Sequence, residues 1–331
     1  MHHANFSRRQ WLARAGTTLI GAVLTASNLA HAADATLGTR PVRVLVPFPA
    51  GGGGDIATRM VTDALAQQLK IPVVVENRPG GDGVIAVQEL LRAAPDGHTI
   101  LFGTPSALLY TPQLTPKKPP YDPLKDLTPI THFTSFTYFI YISNELPVKT
   151  ITELVDYVHQ HPGKVVYGTG DSTQLVAMAQ LCDQAKLDML HVHYKGTSQA
   201  FTDFMGGRIQ VMVGGVDLED QFKGKALPVV TLMPERSPLR PNVPTLGEVG
   251  LTPITIQPWT AFFAPAKTPR PIIEQLNKGF AATFQNPKLQ DFFKSRGSVL
   301  KASTPEAVHE ILVEQLPVFA KAIKTLNLHK E

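Results

Sequence analysis

Apolar residues along this chain follow two alternating rhythms, short β-branched runs and longer segments spaced near the helical repeat. Val42-Arg43-Val44-Leu45-Val46 is a strand-like run ended by Pro47. Asp55 then opens a segment whose apolar positions are Ile56, Met60, Val61, Ala64, Leu65 and Leu69, one face of a helix. A second strand at 72–75, the turn Asn77-Arg78-Pro79-Gly80-Gly81-Asp82-Gly83, a helix at 84–93, the turn Pro95-Asp96-Gly97 and a third strand at 99–102 follow. Strands alternating with helices predict a parallel sheet with helices on its faces.

The proline-rich stretch 111–129 reads as irregular, and 130–142, rich in Phe, Tyr, Thr and Ile, as one long strand crossing between two lobes. A second set begins at Thr150: helix 151–159, strand 164–167, helix 175–186, strand 189–193, helix 198–205 and strands 209–213 and 227–232. The extended aromatic segment 254–263 reads as the return crossing, and the tail 271–284, 287–295 and 305–326 as amphipathic helices. Two crossings put 40–137 and 258–331 in a first lobe and 138–257 in a second, with a hinge and a cleft between them. A length of 331 residues, 43% of them hydrophobic, supplies enough material for two cores. No internal repeat is visible.

The N-terminus changes the charge picture. Ser7-Arg8-Arg9-Gln10-Trp11-Leu12, the apolar run 15–29 and Ala30-His31-Ala32 have the layout of a secretory signal peptide over 1–32. The paired arginines give it twin-arginine character. The run is too short and too rich in Gly, Ser and Thr for a good membrane span, although a retained anchor helix is the alternative. Cleavage near Ala32 removes Arg8, Arg9 and Arg14, with no acid before residue 33, so the formal charge falls from +4 to +1. No basic stripe remains to mark a nucleic-acid partner. Cys182 is the only cysteine, so no intramolecular disulfide can form, and a buried inert thiol is expected.

Three loops at strand ends carry the candidate chemistry. Pro47-Phe48-Pro49-Ala50-Gly51-Gly52-Gly53-Gly54-Asp55 joins a strand to a helix, where backbone N–H groups and the helix dipole favour an anion. Two nucleotide readings fail: no Lys-Ser/Thr follows the glycines, and Ile56 stands where a dinucleotide fingerprint needs glycine. Gly168-Thr169-Gly170-Asp171-Ser172-Thr173 offers amides and hydroxyls at another helix start, and Gly103-Thr104-Pro105-Ser106 is similar. A plain flexible turn for the first loop and a plain N-cap by Ser172 or Thr173 for the second are the alternatives. Ligands of open parallel sheets gather at strand C-terminal ends, where all three loops lie. His191 and His193 share one strand face without an evident third metal ligand, His159 and His161 close a helix, and no Gly-x-Ser-x-Gly supports a hydrolase.

Several blocks together resemble the Bug (TctC-like) family. They are Val44-Leu45-Val46-Pro47-Phe48-Pro49-Ala50-Gly51-Gly52-Gly53, Val75-Glu76-Asn77-Arg78-Pro79-Gly80-Gly81-Asp82-Gly83 and Ala94-Pro95-Asp96-Gly97-His98-Thr99. Tyr121-Asp122-Pro123-Leu124-Lys125-Asp126, His193-Tyr194-Lys195-Gly196 and Arg236-Ser237-Pro238 extend the resemblance, in order, from about residue 40 to the C-terminus. The family comprises extracytoplasmic solute receptors of tripartite tricarboxylate transporters. The resemblance implies an α/β periplasmic-binding-protein fold of Venus-flytrap, type II-like form, its lobes joined by a two-strand hinge. It implies a monomeric periplasmic receptor that takes a di- or tricarboxylate, amino acid or aromatic acid, partly through water, and meets membrane permease subunits. No catalysis, cofactor or metal is implied. The expected contacts are Phe48, Ala50, Gly51, Gly52 and Asp55 in the first loop, and Thr104 and Ser106 in the third strand's loop. The second lobe adds Thr169, Gly170, Asp171, Ser172 and Thr173, with Gly215 and Asp217 from its last loop. Two departures stand out: the 168–173 loop is about one residue short and contains Asp171, and Gly214-Gly215-Val216-Asp217-Leu218-Glu219-Asp220 is short and acid-rich. An acid beside an anion site weakens binding unless it turns away, is protonated or meets a donor, so Asp171 is expected to cap its helix or to recognise a donor on the ligand. Signalling to a sensor kinase is the alternative to transport, and an exported hydrolase the alternative to a receptor.

Overall fold

A computed structural model of the chain describes residues 36–325 except 115–118, 195, 255 and 257, together with 328. The expected signal peptide lies outside the described residues. Among the described residues no helix is long and apolar enough to cross a membrane.

The strands, in chain order with their helices, begin with β1 (Val42–Val46), α1 (Gly53–Leu69), β2 (Val73–Asn77), α2 (Val84–Arg92) and β3 (Thr99–Gly103). A π-helical turn, Ser106–Tyr110, leads into α3 (Thr111–Leu114), then β4 (Leu127–Phe136) and β5 (Phe139–Ser143). Next come α4 (Ile151–Gln160), β6 (Val166–Thr169), α5 (Ser172–Gln184), β7 (Leu190–His193) and α6 (Thr197–Met205). The remainder is β8 (Val211–Gly214), α7 (Glu219–Phe222), β9 (Ala226–Thr231), β10 (Trp259–Pro265), α8 (Arg270–Thr283), α9 (Pro287–Lys294), β11 (Ser298–Leu300) and α10 (Pro305–Thr325).

Two sheets result, one ordered β11-β4-β10-β3-β1-β2 and the other β7-β6-β8-β5-β9. The pattern predicts parallel sheets, and β1, β2 and β3 are parallel, as are β6, β7 and β8. The strands next to the crossings are antiparallel to their neighbours. The reason is directional. β4 runs in the sense of β3 and carries the chain out of the first sheet, so β10, entering from the second lobe, must run against both. β5 and β9 repeat the exchange in the second sheet. The parallel strands of both sheets therefore point their C-terminal ends at the passage between lobes, and the loops that follow β1, β2, β3, β6 and β8 lie on that side.

Some segments depart from the pattern. The single strand expected at 130–142 is two strands belonging to different sheets, broken at 137–138. The aromatic segment at 254–263 is regular strand only from Trp259. The short edge strand β11 pairs with the end of β4 and has no strong sequence signature. The first core is an aromatic cluster in which Phe262 stacks on Phe280 at 4.3 Å and Phe102 and Phe133 meet edge to face. Gly97 (φ +78°) closes a turn so tightly that a Cβ there would stand 2.3 Å from Ile272. The lobes are not insulated from each other: α5 packs on α10 and on the Ser106–Tyr110 turn, within one continuous apolar cluster.

Candidate functional site

The first-lobe loop owes its shape to a buried carboxylate. Asp55, 2% exposed, accepts hydrogen bonds from the Gly51 amide at 2.9 Å, the Asn77 amide at 2.8 Å and the Arg59 guanidinium at 3.0 Å. Burial alone would raise its pKa, but the donors from Arg59, Gly51 and Asn77 outweigh it and hold the carboxyl below its usual range. Asn77 also donates to the Phe48 carbonyl at 3.0 Å, tying the loop after β1 to the end of β2. All these bonds are internal, so Asp55 shapes the loop that Gly51, Gly52 and Ala50 present. Those three residues are exposed.

Gly51 has φ +81°, which favours glycine, and a Cβ on Gly54 would lie 2.6 Å from the Phe48 ring. Gly52 differs: its φ of −73° suits any residue, and an added Cβ would meet only the Pro49 carbonyl at 3.4 Å. Gly52 is the N-cap of α1 and no side chain caps that helix. The first-turn amides of a 17-residue helix thus remain available to an anion. After β3, Thr104 is buried and its hydroxyl accepts the Ala107 amide at 3.3 Å, starting the π-helical turn that carries Ser106.

The second-lobe loop is braced more heavily. Thr169 is fully buried and its hydroxyl pairs with His191 Nε2 at 2.8 Å, while that ring stacks on Tyr167 at 4.8 Å. A Cβ on Gly170 would stand 2.1 Å from the Thr197 amide, because the head of α6 packs directly on the loop. The Gly170 amide donates to Gln174 Oε1 at 2.7 Å, and Gln174 Nε2 reaches Thr197 Oγ1 at 3.1 Å. Asp171 is the N-cap of α5, accepting from the Gln174 amide at 2.8 Å, and also accepts the Tyr138 hydroxyl at 3.0 Å. Desolvation raises its pKa against these donors, and Asp82 adds to the rise. Asp82 lies in the turn that follows β2 in the first sheet.

Ser172 is fully buried and its hydroxyl has no partner among the described residues. Thr173 is also buried beside it. In the last loop the Gly215 carbonyl accepts the Tyr141 hydroxyl at 3.0 Å, and Asp217 sits in the short turn that follows. Glu219 pairs with Arg240, so one acid of this segment is matched within the chain. Among the described residues no group of three metal-ligating side chains occurs. His191 and His193 lie with their ring centres 6.2 Å apart. Cys182 sits in α5, where burial pushes its thiol up to about 12.

Sequence reasoning missed Asn77, Gln174 and Thr197 as site residues, and read Tyr138 only as apolar cleft wall or core. Gln174, three residues beyond the capping Asp171, had a readable signal in the capping-box spacing. The bond from Tyr138 to Asp171 had none, since the two are 33 residues apart.

Helix heads and small hydroxyl residues thus follow the C-terminal ends of strands in both lobes. Residues 57–328 match the model of a family described as the tripartite tricarboxylate transporter family receptor. A Pseudomonas sp. (strain P51) protein, "UPF0065 protein in tcbD-tcbE intergenic region", is 30% identical over 98% of this chain and 96% of its own length. Among solved structures, Rhodopseudomonas palustris MatC (Rpa3494) with bound malate is 27% identical, with a TM-score of 0.77 over 86% of this chain and 99% of its own. Rpa4515 of R. palustris with adipate is 25% identical, with a TM-score of 0.79 over 88% and 98%.

Proposed function

Because the chain belongs to the tripartite tricarboxylate transporter receptor family, we propose that it captures a small carboxylate outside the cytoplasmic membrane and presents it to permease subunits. Export by the N-terminal signal and cleavage near Ala32 complete this reading. The observation that carries it is the uncapped head of α1 behind the exposed Gly51 and Gly52, at the same strand-end side of the molecule as the head of α5 by the sheet topology. Helix N-termini of this kind favour an anion by roughly 0.3–1 kcal/mol each when exposed, and more when shielded. The malate and adipate bound by the two relatives make a dicarboxylate the first class to try, one carboxylate at each wall. Ala50, Gly51 and Gly52 supply the first wall, and the 170–173 loop at the head of α5 backs the second. Phe48, Thr104, Ser106 and Gly215 shape the space between, while Asp55, Thr169 and Asp171 position the loops. The ligand leaves unchanged: its binding energy drives lobe closure, which the permease reads.

The test is a thermal-shift screen of the mature protein against dicarboxylates, tricarboxylates, amino acids and aromatic acids, with neutral sugars and polyamines as controls. Stabilisation confined to acids supports the reading. Stabilisation by a neutral or cationic solute, with none by any acid, removes it.

A further inference from the structure

Tyr138 occupies the two-residue passage between β4 and β5. Its carbonyl accepts the Leu232 amide at 2.8 Å and the Thr231 hydroxyl at 3.3 Å, which fixes its backbone to the end of β9. Its ring meets Phe136, the last residue of β4, edge to face at 5.4 Å. Its hydroxyl donates to one oxygen of Asp171, whose other oxygen caps α5 through the Gln174 amide. The Gln174 side chain then joins Gly170 to Thr197 at the head of α6. One continuous series of hydrogen bonds thus runs from the passage between lobes to both helix heads of the second-lobe wall.

We infer that Tyr138 is a positioning residue that couples the angle between the lobes to the shape of the 170–173 loop, acting through Asp171. The inference rests on the proposed receptor function for its consequence, since a loop ordered in one lobe arrangement binds ligand best in that arrangement. Hinges concentrate backbone rotation in a few residues, and only 137 and 138 separate β4 from β5. Rotation there shifts Phe136 against the Tyr138 ring, whose hydroxyl braces the capping carboxylate of Asp171. By linkage, a ligand that grips the loop favours the arrangement in which Tyr138 holds it.

The experiment combines hydrogen exchange of the 170–174 amides in ligand-free protein with calorimetric titration of malate and adipate. Y138F and D171A are each expected to speed exchange and to weaken binding of whichever diacid binds by about fivefold to tenfold, the worth of one net hydrogen bond. The double variant should be no worse than D171A alone. D171N keeps a capping oxygen and an amide that can pair with the Tyr138 oxygen, so it should restore both readouts. Additive effects, a Y138F loop that exchanges like wild type, or a D171N protein that behaves like D171A would each overturn the inference. If wild type binds neither diacid, the dicarboxylate assignment falls, while the exchange measurement still decides the role of Tyr138. Should Y138F not fold, the contrast of D171A with D171N decides it alone.

Discussion

Gly170 and Asp171 stand side by side yet are constrained by opposite forces. Gly170 is fixed by space, because the α6 backbone occupies the position of any side chain. Gly170→Ala should therefore cost about 1–3 kcal/mol, as overpacking does, measured as a fall in the urea midpoint. Asp171 is fixed by hydrogen bonding and opposed by desolvation, which raises its pKa. An acid whose folded pKa is raised holds its proton more tightly in the fold. Its contribution is therefore most favourable below the ordinary carboxylate range and is lost as pH rises through the raised folded value. Asp171→Asn removes that loss while keeping a capping oxygen. It should unfold at a higher urea concentration than wild type near neutral pH, the difference closing in acid. An equal midpoint at both pH values would show that Asp171 carries no desolvation cost. The local pattern shows Asp171 at a helix start, and capping is a local act. Its bond to Tyr138 depends on which strand the chain lays beside the loop, and no neighbour in sequence records that.

At the scale of elements, α1 and α5 are both buried-face helices that follow a parallel strand, but their heads differ. The α5 head is capped by Asp171, the α4 head by the Thr150 hydroxyl, and the α1 head by no side chain. Thr150→Ala should cost about 1 kcal/mol in stability, the ordinary worth of a cap, without altering ligand affinity. Gly52→Phe makes the opposite prediction: the backbone tolerates it, so the melting temperature should hold while carboxylate-induced stabilisation disappears. If Gly52→Phe still shows the full ligand shift, the α1 head is not the binding wall. Glycine in a strand-to-helix loop was readable from sequence. The distinct duties of its members were not. Gly51 serves a positive φ and Gly54 the approach of the Phe48 ring, whereas a side chain on Gly52 would meet only the Pro49 carbonyl at 3.4 Å.

For the whole molecule, the two sheets are joined by a passage of two residues and by a longer return between β9 and β10. That connection permits rotation, while the apolar cluster shared by α5, α10 and the Ser106–Tyr110 turn gives one lobe arrangement a packed interface. A ligand present at a hundredfold excess over its Kd adds about 2.7 kcal/mol to the closed, folded state. For a chain of this size that should raise Tm by roughly 5 °C or more. Small-angle scattering should show a smaller radius of gyration with the same ligand. Stabilisation without compaction would mean that the cleft binds without closing.

The sequence by itself determined the α/β alternation, the exchange of chain between two units and the gathering of glycine and hydroxyl residues at strand ends. These follow from periodicity, steric freedom and capping, all of which act over a few residues. The tertiary structure alone decided that the crossing strands run antiparallel to their neighbours, that 130–142 divides between two sheets, and that Asp55 turns inward to shape its loop. It also decided how the hydroxyls are engaged: Thr169 is taken by His191, while the Ser172 hydroxyl is buried without a partner among the described residues. Those outcomes rest on contacts between segments far apart in the chain, where the cost of burying a polar group is settled by whichever partner the fold brings to it.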